Sequence, residues 1–161
     1  MATREPEGSE SKSSRVEFVP PDFDVPLELV SPDFRLIPLE PAHNDADFDA
    51  WTSSMEHIHA TPGFEDRPWP LPMPKEENLR DLENHAADFR NRQGFTYTVQ
   101  SPAGETIGCL YIYPRESGAG ADVRSWVRAD HADLDRPLYD AVSEWLRTTW
   151  PFETVDYAAR N

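Results

Sequence analysis

The sequence predicts an α+β (α/β-type) domain built on a mixed, mostly antiparallel central sheet flanked by about three helices. Three observations carry that expectation. Residues 121–150, ADVRSWVRADHADLDRPLYDAVSEWLRTTW, read as a strand, a short acidic turn and an amphipathic helix. Val123, Ser125 and Val127 share one parity and Arg124, Trp126 and Arg128 the other, which is a strand with two unlike faces. Leu138, Ala141, Val142, Trp145 and Leu146 then recur at helical spacing as one apolar stripe. Upstream, FTYTVQ and TIGCLYIY are β-rich runs joined by a hairpin-length turn at residues 101–104, so they should pair antiparallel.

In chain order, residues 1–15 are rich in Ser, Glu and Gly without apolar periodicity, which predicts a disordered tail. Residues 16–33 mix apolar side chains with Pro20, Pro21 and Pro26, as suits an extended arm laid over a groove. Residues 34–161 should form one domain. FRLIPL, residues 34–39, is a short strand, after which Asn44 or Asp45 can cap a helix whose stripe is Phe48, Trp51, Met55 and Ile58. Thr52, Ser53 and Ser54 are placed to interrupt it.

Residues 61–74, TPGFEDRPWPLPMP, contain Phe64, Trp69 and Leu71 and predict a stiff irregular loop with aromatic anchors. A helix to about residue 92 follows, striped by Leu79, Leu82, Ala86 and Phe89, with Gly94 placed as its C-terminal cap. The run 106–113 is apolar on both parities, as in a strand covered on both sides. Residues 152–158 supply one more strand.

With 161 residues the chain is long enough for one sizeable core and too short for two domains. Its single cysteine, Cys109, excludes an internal disulfide and reads as inert core. No run suggests a membrane span or a signal peptide, so a cytoplasmic location is expected. The net charge of -15 argues against nucleic acid or an acidic membrane as partner. His57 and His59 point to different faces of a helix and complete no zinc site, so no metal is expected.

The element order, with FRLIPL, the hairpin strand GETIGCLYIYP, and SWVRA leading into a helix, resembles the GNAT family of N-acetyltransferases, in particular the branch that acetylates ribosomal-protein N-termini. It covers residues 27–158. The resemblance implies a sheet that splays between the strand of Val123 and that of Tyr157, with acetyl-CoA in the cleft. Backbone groups of Trp126, Val127 and Arg128 would hold the pantetheine arm, and the acceptor would be a small-molecule or peptide amine. By position, Glu56 and His59 are the candidate catalytic bases, beside an acceptor site walled by Trp51 and Trp69.

Two departures qualify this. Where the family has a glycine-rich turn cradling the cofactor pyrophosphate, this chain has Asp130-His131-Ala132-Asp133-Leu134-Asp135. Asp133 or Asp135 can cap the helix and so occupy the anion site in cis. Each carboxylate beside a pyrophosphate would cost roughly 1–4 kcal/mol. Arg128, His131 and Arg136, with Arg124, flank the turn and either meet cofactor phosphates or, as favoured here, pair with nearby aspartates. The family also continues past the last strand into a further helix and strand, so an exposed sheet edge is expected, to be covered by the arm or by a homodimer partner. Two functions stand: an acyl-CoA-dependent N-acetyltransferase with a degenerate phosphate turn, or a binding module on the same fold that does not take acetyl-CoA.

Overall fold

The computed structural model describes residues 17–160, so the predicted tail at 1–15 lies outside the described residues. Six strands form one sheet in sequence order: β1 (Leu29–Val30), β2 (Arg35–Pro38), β3 (Phe95–Gln100), β4 (Thr106–Pro114), β5 (Ala121–Val127) and β6 (Val155–Tyr157). Every pairing is antiparallel except β5 with β6, which is parallel. Four α-helices accompany them: α1 (Asn44–Thr52), α2 (Met55–His59), α3 (Lys75–Arg90) and α4 (Asp135–Thr148).

The sheet separates two cores. On one face Leu138, Val142, Trp145 and Leu146 of α4 pack against Phe95, Tyr97, Leu110, Ile112, Val123 and Val127. On the other, Trp51, Ile58, Phe64 and Leu82 enclose Cys109 and Trp126. Strand β4 is therefore covered on both sides, as its two-parity apolar text predicts. One β-bulge adjusts it. Val99 pairs with Gly108 but Gln100 with Thr106, so Ile107 is the extra residue and joins Leu110 in the first core.

The arm fills a groove, as its composition predicts. Val19 is buried, Phe18 stacks on Phe95 and Phe152 at 5.7 and 5.0 Å, and Phe23 and Val25 pack beside them. Burial of side chains this size stabilises by about 1.5–3 kcal/mol each. Arg92 fastens the arm by donating to the Pro20 and Phe23 carbonyls at 2.7 and 3.0 Å. The arm also contributes β1 as an edge strand, where proline-rich text is tolerated.

The predicted helix after Asn44 breaks at the hydroxyl run. Thr52 and Ser53 donate to the Phe48 and Ala50 carbonyls, and Ser54 Oγ accepts the Ala129 amide at 2.8 Å, joining the break to the turn after β5. Two other expectations need correction. Gly94 serves no cap: a Cβ there would lie 2.1 Å from the Tyr113 ring, so it is glycine because the ring passes over it. Neither Asp133 nor Asp135 caps α4, whose N-cap position is Leu134 without a side-chain bond.

Candidate functional site

Two places bring polar groups together on this frame, one at the opening between β5 and β6 and one on the opposite face of β5. Strands β5 and β6 pair only from Ala121↔Val155 to Val123↔Tyr157, and beyond Tyr157 they part. Residues of one parity in β5 turn their backbone groups toward this opening, as the Ala121 amide bond to the Thr154 carbonyl shows. Ser125 is in the same parity, and its carbonyl accepts from Arg160 Nη2 at 2.8 Å.

Arg160 is completely engaged there. Its Nε donates to Asp135 Oδ2 at 2.8 Å, its Nη1 to the Ala158 and Pro62 carbonyls at 2.9 and 3.3 Å, and its guanidinium lies 5.6 Å from both the Tyr139 and the Tyr157 ring centres. The side chain is only 3% exposed. Ser125 Oγ and the Tyr157 hydroxyl share a hydrogen bond of 2.6 Å, and burial pushes the Tyr157 phenol well up. Asp135 is the first residue of α4, so the helix's positive end is met by the chain's own carboxylate, which is in turn met by the chain's own arginine.

The basic residues around the turn are paired locally, as favoured from the sequence, though with different aspartates from those of the turn's end. Arg128 holds Asp130 through two bonds of 3.0 and 2.7 Å, and His131 reaches the same carboxylate. Those bonds keep the Asp130 carboxyl below its ordinary range. Arg136 binds Asp140 one turn along α4, and Arg124 binds Asp122. Trp126 and Val127 are fully buried on opposite faces of β5, with Trp126 Nε1 donating to the Tyr111 hydroxyl at 3.0 Å.

On the other face, α3, the loop at 61–74 and β5 enclose a cavity of about 290 Å³. Trp69 forms one wall, with Phe64, Leu82 and Tyr111. Asp47, Asp81 and His85 supply acidic and imidazole groups, and Arg67 and Arg124 supply guanidinium groups. Helical spacing explains part of this, since Asn78, Asp81, Leu82 and His85 form one face of α3. Asp47 is buried and accepts from Asn78 Nδ2 at 3.1 Å. Burial, reinforced by the neighbouring Asp81 charge, pushes its carboxyl up to about 6 despite that bond. Burial likewise raises Asp81 and lowers His85.

Of the acceptor-side residues named from the sequence, the cavity gathers only Trp69. Trp51 is fully buried behind it and donates to Asn78 Oδ1 at 3.1 Å. His59 Nε2 is bonded to the Pro70 carbonyl at 2.6 Å, and Glu56 is exposed on α2; neither lines the cavity. Sequence reading missed Asp47, Asp81, His85 and Arg160. The first three carry a signal, a polar residue inside or beside an apolar helical stripe; Arg160 carries only its charge, opposite an aspartate 25 positions earlier. Among the described residues no cluster of three or more metal-ligating side chains occurs, and no helix is long and apolar enough to cross a membrane.

No protein-family model and no curated protein matches the sequence. Solved structures do resemble the fold. RimL, a ribosomal L7/L12 alpha-N-protein acetyltransferase, superposes with a TM-score of 0.57 at 13% identity over 74% of this chain and 64% of that one. In complex with coenzyme A the same enzyme gives 0.59, over 76% and 69%. The ribosomal-protein-S5-alanine acetyltransferase of Vibrio fischeri gives 0.57 at 11% identity over 76% and 67%. The microcin C7 self-immunity acetyltransferase MccE, solved with acetyl-CoA and AMP, gives 0.55 at 8% identity over 73% and 62%. The chain thus spans less than two thirds of the first of these. Its fold is that of the GNAT acyl-CoA N-acyltransferases.

Proposed function

We propose that this chain, a GNAT-fold domain, is a small-molecule binding module in which the opening used for acetyl-CoA elsewhere in the fold is closed by Arg160, and the ligand site is the cavity under Trp69. The observation that carries this reading is the Arg160 guanidinium seated between Ser125 O and Asp135 at 2.8 Å from each.

Acetyl-CoA does not fit the residues as they stand. A pantetheine amide would need the strand edge that Arg160 occupies, and a pyrophosphate would need the helix start that holds Asp135. Displacing Arg160 alone leaves a carboxylate facing the anion. Breaking a buried ion pair by removing one partner costs about 3–5 kcal/mol. At about 1.4 kcal/mol per factor of ten, that lowers affinity by two or more orders of magnitude. The turn offers little in compensation, because Arg128, His131 and Arg136 already have carboxylate partners.

The second reading, an N-acetyltransferase acting on a small-molecule or peptide amine with Trp126, Val127, Arg128, His131 and Arg136 at the cofactor, is favoured by the parallel β5 and β6 pair and by neighbours that bind CoA. It requires Arg160 to leave its seat. Titration of the natural protein with acetyl-CoA by calorimetry separates the two. No heat of binding is expected from the natural protein, and measurable binding is expected from the Asp135→Asn/Arg160→Ala double variant, where neither charge is orphaned. Micromolar binding by the natural protein would overturn the module reading, and an amine screen for acetyl transfer with Glu56→Gln and His59→Ala variants would follow.

A further inference from the structure

The cavity under Trp69 has charged groups of both signs, and they are not mixed. Asp81 raises the neighbouring Asp47 carboxyl and itself feels His85, Glu77 and Arg80, while Arg67 acts on Asp122, the carboxylate that Arg124 also holds at 2.8 Å. The acidic groups come from α1 and α3; the basic ones from the loop at 61–74 and from β5. One side of the cavity is therefore acceptor-rich and the other donor-rich, with an aromatic wall joining them.

His85 belongs to the acceptor side by tautomer. A carboxylate accepts only, so the Tyr113 hydroxyl donates to Asp88 at 2.8 Å and must itself accept from His85 Nδ1 at 2.7 Å. The proton is then on Nδ1, where Thr96 Oγ1 also accepts it at 3.2 Å, and Nε2 keeps its lone pair. Among the described residues no hydrogen bond reaches Nε2, on a side chain that lines the cavity. With Asp47 and Asp81 it makes three acceptors, which matches the three donors of a primary ammonium. Among the described residues the buried Asp47 has a single hydrogen bond, from Asn78, and no cationic partner, an arrangement that a ligand ammonium would complete.

We infer that the cavity binds a free amino acid, its ammonium group set among Asp47, Asp81 and His85 Nε2 and its carboxylate on Arg67 and Arg124, with an apolar side chain against Trp69. Guanidinium groups suit a carboxylate because they offer paired parallel donors. Arg124 gives only Nη2 to Asp122, and among the described residues the Arg67 side chain makes no hydrogen bond, so both keep donors for a ligand carboxylate. This rests on the reading that the cavity is the ligand site.

Calorimetric titration of the full chain with L-phenylalanine, phenethylamine and phenylpropanoate, without acetyl-CoA, tests it. Saturable binding of the amino acid is expected, weaker by about tenfold or more for the compounds lacking one charged group. Asp81→Asn should erase the preference for phenylalanine over phenylpropanoate, and Arg67→Ala the preference over phenethylamine. The three ligands on the natural protein decide the matter even where a variant fails to fold. Equal binding of phenethylamine or of phenylpropanoate, or no saturable binding of L-phenylalanine, overturns the inference. None of these outcomes depends on whether acetyl-CoA binds, so failure here is distinct from failure of the closed opening.

Discussion

Arg160 and Asp135 close the mouth between β5 and β6 with a 2.8 Å bond, joining residues at the two ends of the segment that contains α4 and β6. Arg160 reaches the Pro62 carbonyl as well, so the loop over the cavity under Trp69 and the opening between β5 and β6 share one side chain. Removing either charge should leave the other without its charged partner in a largely buried site. Asp135→Ala is expected to destabilise by about 3–5 kcal/mol. The double change Asp135→Ala/Arg160→Leu should cost less than the sum of the single changes. Urea denaturation of the four proteins measures the coupling, and strict additivity would refute it.

Asp47 makes stability depend on pH. Its carboxyl is raised from 3.8 to about 6, so the folded chain holds the proton more tightly than the unfolded chain does. Its contribution is therefore fully present below 3.8 and lost as pH rises through about 6. The loss is at most about 3 kcal/mol. Asp47→Asn should raise stability by about 2 kcal/mol near pH 8 and change it little near pH 4. Denaturation curves at the two pH values test this, and an equal effect at both would show that the carboxylate is not desolvated.

Gly94→Ala should disturb a site it does not touch. The new methyl would meet the Tyr113 ring at 2.1 Å, and that ring is held by His85 and Asp88. Overpacking of this kind costs about 1–3 kcal/mol. The observable beyond stability is the nitrogen chemical shift of His85: displacing Tyr113 removes the bond that holds the proton on Nδ1.

Arg92 pins the arm through two backbone carbonyls while its own backbone sits at φ 59°. Arg92→Ala removes both bonds and leaves the backbone strain as it is, for an expected loss of about 1–2 kcal/mol. Limited proteolysis should then cut first within residues 17–26. Unchanged cleavage would mean that Val19 and Phe23 hold the arm by packing alone.

Periodicity and composition carried most of the fold. The two-parity text of β4, the stripe of α4 and the hairpin turn each state a local burial pattern, and burial pattern is what sets strand and helix faces. The hydroxyl run at residues 52–54 likewise announced the break between α1 and α2, because short hydroxyl side chains compete for nearby carbonyls. Gly94 was legible as a special position but not for its reason, which is a ring 19 residues away in sequence on β4.

By itself the sequence determined the element order, the two-faced strand at Val123, the arm's need for a groove and the absence of glycine from the turn before α4. These are local properties, written in neighbouring residues. Tertiary structure alone decided that Arg160 lies on Asp135 and Ser125, that Asp47 meets Asn78 and Asp81 under Trp69, and that Glu56 and His59 stand apart from them. The reason is that charge pairing and desolvation depend on distances across the fold, and residues far apart in sequence acquire those distances only when the sheet and its helices have packed.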